Sequence, residues 1–326
     1  MDILHNLASS LLSPMVLAFA LGILASLIKS DLKISEEFYG ALTIYLLFAI
    51  GLKGGMKLEG MSLAQVWKPI LAALTLSLAI PAWSYFILKK LCGLTSVDAG
   101  AVAAHYGSVS AVTFSAAMAF LEKYHLQGEG YLPALLAIME VPAIIVALFM
   151  VKQFNGGTMA AEGGIQKVIH ELLTSKGILL LLGGLGIGLL CGHAGYEQVA
   201  PLFDAPFKGV LTLFLLAVGL LTGKRLADLK SVGFKLGAFA LIMPPIHAVI
   251  AIFLAKAAGM SLGGATVLAT LGASASYIAA PAAVRIALPQ ASPALYFTTA
   301  LAITFPFNIV IGIPLYHDIA KFILNA

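Results

Sequence analysis

Apolar residues run along this chain in blocks of roughly 17–25, the length of a helix that crosses a bilayer core, separated by short polar junctions. The blocks lack the short alternating segments of a membrane-spanning β-barrel. The pattern predicts ten spans, at 11–28, 38–52, 66–88, 97–121, 131–151, 177–193, 206–222, 234–257, 262–287 and 291–316. The second and seventh are short and are expected to extend past their glycines. One sizeable hydrophilic linker, 152–176, divides the chain almost in half. It holds Gly156-Gly157-Thr158 and Glu162-Gly163-Gly164, and a short helix is expected over 165–174.

Composition agrees. The chain is 60% hydrophobic and 10% charged, against about 25% charged in a soluble domain. It reads as an all-α integral membrane protein. The net charge of +4 comes from basic residues scattered at span ends, so no nucleic-acid partner is expected. The N-terminus lacks a basic flank and a cleavage site, so no removable signal peptide is expected. Cys92 and Cys191 have neither disulfide-framework nor metal spacing and read as small apolar residues in helices. There is no P-loop, zinc motif, nucleophile elbow, selectivity filter or voltage-sensor series. The chain is read as neither an enzyme nor an ATP-driven pump.

The two halves resemble each other. The pattern Phe48-Ala49-Ile50-Gly51-Leu52-Lys53-Gly54-Gly55 matches Leu216-Ala217-Val218-Gly219-Leu220-Leu221-Thr222-Gly223. Ser96, Val102, Ala104, Gly107 and Ala117 fall opposite Ser261, Val267, Ala269, Gly272 and Ala282 at a constant offset, and Glu140-Val141-Pro142 opposite Thr304-Phe305-Pro306. Five spans per half force the second half to enter from the opposite side, so the repeats are expected to be inverted. The expected organisation is 1–151 as first repeat, 152–176 as cytoplasmic linker and 177–326 as second repeat. Of the 19 Lys and Arg residues, twelve fall on the linker side and seven (Lys53, Lys57, Lys68, Lys123, Lys208, Lys256 and Lys321) on the other. That bias puts the linker in the cytoplasm and both termini outside.

Two small polar islands interrupt spans four and nine. They are Gly107-Ser108-Val109-Ser110-Ala111-Val112-Thr113 and Gly272-Ala273-Ser274-Ala275-Ser276-Tyr277. Broken helices survive in a membrane only where they are buried or line a wet cavity. Paired breaks in two halves mark a transporter's binding site. Half-helix N-termini attract anions, and Gly107, Ser108, Ser110, Thr113, Ala273, Ser274 and Ser276 would supply backbone and hydroxyl contacts. Close helix packing is the alternative use of such residues.

Glu140 lies in the middle of an otherwise uncharged span, beside Pro142. A carboxylate there points to function. With Ser108, Ser110, Thr304 and Asn308 it offers the oxygen ligands that Na⁺ prefers. A proton-carrying Glu140 and a purely structural one remain open. So does interhelical hydrogen bonding for Asn308. His105 and Tyr106 adjoin the first island. Arg285 is read as snorkelling, Asp98 and Glu122 as helix-end residues, and His247 as having no visible partner.

At these residues the chain resembles the sodium-dependent bicarbonate transporter family, known from cyanobacterial high-affinity bicarbonate permeases. The likeness is carried by Gly272-Ala273-Ser274-Ala275-Ser276-Tyr277-Ile278-Ala279-Ala280-Pro281-Ala282-Ala283-Val284-Arg285 and by Phe305-Pro306-Phe307-Asn308 followed by Gly312-Ile313-Pro314-Leu315-Tyr316. Gly51-Leu52-Lys53-Gly54-Gly55 and the first island fit as well. The resemblance implies ten transmembrane helices in two inverted five-helix repeats, with gate and core domains, and a homotrimer working as an elevator. It implies Na⁺ and bicarbonate bound between the two islands and Glu140, in the bacterial inner membrane, and a PII-like cytoplasmic regulator. Glu140 stands where the family pattern has Asp, and the linker is short for the family. The expected function is therefore sodium-coupled bicarbonate import. The alternatives are a proton-coupled or exchange transporter of another small anion or carboxylate, a regulated anion channel and, less in keeping with so short a linker, a membrane sensor.

Overall fold

The structure, a computed structural model, describes residues 11–154 and 164–325. Gly156–Thr158 and Glu162-Gly163 of the linker lie outside the described residues. All regular structure within them is helical. The helices are α1 (Pro14–Leu27), α2 (Glu36–Leu58), α3 (Leu63–Lys90), α4 (Ser96–Gly107), α5 (Ala111–Lys123), α6 (Leu132–Phe154) and α7 (Gly164–Leu173). There follow α8 (Lys176–Glu197), α9 (Ala200–Phe203), α10 (Phe207–Leu226), α11 (Leu229–Ala258), α12 (Leu262–Ala273), α13 (Ala279–Ala287) and α14 (Pro293–Leu324).

Among the described residues, seven helices are long and apolar enough to cross a membrane: α2, α3, α6, α8, α9 continuing into α10, α11 and α14. Large apolar side chains such as Leu17, Leu179, Leu190 and Phe253 stand exposed on the outer faces, as a hydrocarbon solvent permits. The second and seventh predicted spans run on past their glycines, to Leu58 and Leu226. Each of the two predicted spans that carry an island is two helices, α4/α5 and α12/α13. The short linker helix is α7, with Val168 and Leu172 buried one turn apart. Cys92 is not helical. It lies past the end of α3, with Cys191 exposed on α8.

Starts are written in serine and threonine. Ser13, Ser35, Thr95, Ser110, Ser175 and Ser261 each accept a backbone N–H from the first turn of the following helix. Ser62 and Gln65 form a reciprocal capping box at the start of α3.

Glycines set the closest crossings. A Cβ at Gly219 of α10 would overlap the Phe19 carbonyl of α1, and one at Gly22 would overlap that of Leu216. In the same manner α2 meets α8: a Cβ at Gly51 would lie 2.6 Å from the Leu181 carbonyl, and one at Gly188 would overlap that of Leu52. Such approaches let backbones pack directly, the usual means of helix association in lipid. Tyr39 of α2 stacks on Phe214 of α10 with ring centroids 4.8 Å apart, which joins the two pairs into one four-helix group. The other group is α3–α6 with α11–α14. The two groups touch through Thr222 Oγ1, which donates to the Leu301 carbonyl at 3.2 Å, and through the Phe19–Phe305 edge contact.

In α14, π-helical turns at Thr298–Thr304 and Asn308–Gly312 flank Pro306. A proline ring removes one N–H and crowds the preceding turn, and the wider turns accommodate it.

Candidate functional site

The two breaks cross each other inside the second group. Each opens with a serine in extended conformation: Ser108 (φ −86°, ψ 150°) after α4 and Ser274 (φ −81°, ψ 161°) after α12. Ser276 N–H donates to the His105 carbonyl at 2.8 Å, and Ser110 N–H to Ser274 Oγ at 3.0 Å. Each broken helix thus satisfies backbone groups that the other leaves unpaired.

Hydrogen bonding divides the predicted site residues into two sets. Ser274 Oγ donates to Leu271 O at 2.8 Å and accepts from Ser110, so it serves the crossing. Asn308 Nδ2 donates to Ala273 O at 2.9 Å, while its Oδ1 accepts from Tyr316 OH at 2.7 Å. Thr304 Oγ1 donates to Ala240 O at 2.7 Å and lies 2.6 Å from Tyr106 OH, which is left to donate to it. Gly107 packs against Pro81 and Ala143, where a Cβ would come within 2.7 and 2.9 Å.

The second set faces a crevice. Ser110, Glu140 and Ser276 line a narrow crevice with Leu47, Leu136, Gly177, Leu181 and Tyr277. Leu47, Gly177 and Leu181 come from α2 and α8. The crevice is therefore the seam between the two groups of helices. Ser110 Oγ accepts from Thr113 N–H at 3.2 Å and Ser276 Oγ from Ala280 N–H at 3.3 Å. With those lone pairs engaged, each hydroxyl keeps its proton to offer to the crevice. Glu140 is half-buried, near the first turn of α8. A Cβ at Gly177 would lie 3.8 Å from Glu140 Oε1. The pocket thus pairs O–H donors with a carboxylate, a donor set for an oxyanion beside a cation. Thr304, Asn308 and Ser108 are not part of its lining. Ser108 is fully buried and its Oγ has no hydrogen-bond partner. Among the described residues no cluster of three His, Cys, Asp or Glu could hold a transition metal.

The remaining candidates lie elsewhere. His105 is buried, with Nδ1 2.6 Å from Ala101 O and its ring stacked on Tyr296. His247, for which the sequence showed no partner, accepts at Nε2 from Trp83 Nε1 at 2.9 Å. The pair is separated by 164 positions, which is why local pattern hides it. Arg285 is exposed, 5.9 Å from the Phe297 ring centroid. Asp98 lies in the first turn of α4, where Oδ1 accepts from Ser292 N–H at 2.9 Å. Glu122, in the last turn of α5, pairs with Lys208 at 3.2 Å. Tyr277 is the pocket residue that sequence reasoning missed as a ligand candidate. Its one signal was its place at the end of the second island.

A search of curated proteins found no match. A family model described as the Na⁺-dependent bicarbonate transporter superfamily matches residues 14–321. The span of that match includes both broken helices, Glu140 and the crossing glycines, so the chain, a multi-pass helical membrane protein, belongs to the Na⁺-dependent bicarbonate transporter superfamily.

Proposed function

We propose that this protein is a sodium-coupled symporter that imports bicarbonate. The observation that carries the reading is the crevice that Ser110, Ser276 and Glu140 line together. Hydroxyl donors and half-helix N-termini suit a small oxyanion. A carboxylate alone would repel that anion. A Na⁺ held by Glu140 and nearby oxygens reverses the local field, so each ion raises the other's affinity, and the coupling is reciprocal. An unpaired carboxylate in a membrane interior is costly, which favours a functional reason for its presence. Thr304, Asn308 and Ser274 hold the breaks in shape around this site. Their direct contact with either ion is not required.

The same reading takes α1, α2, α8 and α10 as the gate and the other group as a core that carries the site. The swapped glycine crossings, Gly22 with Gly219 and Gly184 with Gly51, are what inverted five-helix repeats would produce. Bicarbonate then crosses as the core moves against the gate, with the site on the moving side of the seam. A homotrimer in a bacterial inner membrane, termini outside and linker inside, with a PII-like regulator, completes the expectation drawn from the resemblance.

The test is radiolabelled bicarbonate uptake into proteoliposomes under an inward Na⁺ gradient. Uptake that ignores Na⁺ but follows a proton gradient would favour the second reading, a proton-carrying Glu140. That reading draws on the fact that, among the described residues, no ion pair holds this carboxylate.

A further inference from the structure

The crevice contains one polar group that no protein partner satisfies. Tyr277 is only 8% exposed, and its hydroxyl has no hydrogen-bond partner. Buried hydroxyls in folded proteins are nearly always paired, and an exception calls for a reason. The Tyr277 hydroxyl comes within reach of the Ser110 side chain without the geometry of a formed hydrogen bond, and the residue lines the crevice together with Ser110, Ser276 and Glu140.

The ring is packed by its own group of helices. It meets Phe305 edge-on with centroids 5.3 Å apart, and Phe305 meets Phe19 of α1 edge-on at 5.4 Å. A tyrosine fixed in this way presents its O–H in one direction. A serine rotor beside it can reorient.

Resting on the bicarbonate reading above, we propose that Tyr277 binds the transported anion through its hydroxyl and sets which anions the site accepts. With Ser110 and Ser276 it makes a third hydroxyl among the residues that line the crevice. A site that leaves a buried donor unpaired discriminates strongly against ligands that cannot accept from it. Bicarbonate concentrates its charge on two oxygens and accepts well. Nitrate spreads its charge over three and accepts poorly, so this donor favours bicarbonate over nitrate.

The test is Tyr277→Phe, which keeps the ring and its contacts with Phe305. Uptake is measured in proteoliposomes beside the wild type, under the same Na⁺ gradient, with nitrate as competitor. The expected result is a bicarbonate KM raised about tenfold or more, the loss of one hydrogen bond to a charged ligand. Vmax stays close to wild type. The inhibition constant of nitrate changes little, so the preference for bicarbonate narrows by the same factor. An unchanged bicarbonate KM overturns the proposal. So does an equal rise in bicarbonate KM and nitrate inhibition constant, which would mean a general distortion. A variant that does not fold also overturns it, because the hydroxyl would then have a structural partner. Absence of Na⁺-driven uptake in the wild-type arm contradicts the symport reading itself, and so is separable from failure of the variant alone.

Discussion

The backbone N–H of Ser110 donates to Ser274 Oγ at 3.0 Å, across 164 positions of sequence, and ties one broken helix to the other. Ser274 in turn donates to Leu271 O. Its hydroxyl is fully committed to the crossing. The hydroxyl of Ser276, two residues on, faces the crevice. The two serines of one island therefore have different duties, and substitution separates them.

Ser274→Ala leaves the Ser110 N–H buried without a partner. It is expected to destabilise the protein by about 1–3 kcal/mol, read as a lower unfolding temperature in detergent. Ser276→Ala removes a hydroxyl from the crevice lining together with the acceptor of the Ala280 N–H. It is expected to cost stability as well and, on the proposed function, to raise the bicarbonate KM, which folded Ser274→Ala leaves close to wild type. An equal rise in KM in the two variants would contradict this division.

Gly219→Ala places a methyl group against the Phe19 carbonyl. Backbone cannot yield as a side-chain tip does, so a loss of about 2 kcal/mol or more is expected, with reduced yield of monodisperse protein. Gly183, in the middle of α8, has nothing within 4 Å of an added Cβ. Gly183→Ala is expected to stay within about 0.5 kcal/mol of wild type. The comparison is made by unfolding purified protein in mixed micelles.

Asn308→Ala strips the partner from both Ala273 O and Tyr316 OH. Two buried groups left unpaired are expected to cost about 2 kcal/mol or more. The Na⁺ concentration that half-stimulates uptake by the surviving folded protein is expected to match wild type. A large rise in that concentration, at unchanged stability, would instead make Asn308 a direct Na⁺ ligand.

Much of the fold was legible because hydrocarbon enforces simple rules. Apolar blocks such as 66–88 and 234–257 became helices, and Ser62 and Ser261 stand where helices begin. The Ser/Gly islands announced the breaks, because an interrupted helix leaves backbone groups that only small polar residues and tight packing can serve. What stayed hidden was long-range pairing. Nothing local says that Gly22 meets Gly219, or that Trp83 finds His247. The candidate crevice was legible in part. Ser110, Ser276 and Glu140 do meet in one crevice. Thr304 and Asn308 looked like free oxygens, yet Ala240 O, Ala273 O and Tyr316 claim their hydrogen bonds. Tyr277 read as one more aromatic at the end of an island. Only its burial and its unpaired hydroxyl distinguish it.

Whether Glu140 holds Na⁺ beside the anion is tested by labelled Na⁺ uptake into proteoliposomes with and without bicarbonate. It compares the wild type with Glu140→Gln, both confirmed as folded. Bicarbonate-stimulated Na⁺ uptake is expected in the wild type and is expected to be lost in the variant. Bicarbonate-stimulated Na⁺ uptake that survives Glu140→Gln, or none in the wild type, would contradict that role of Glu140.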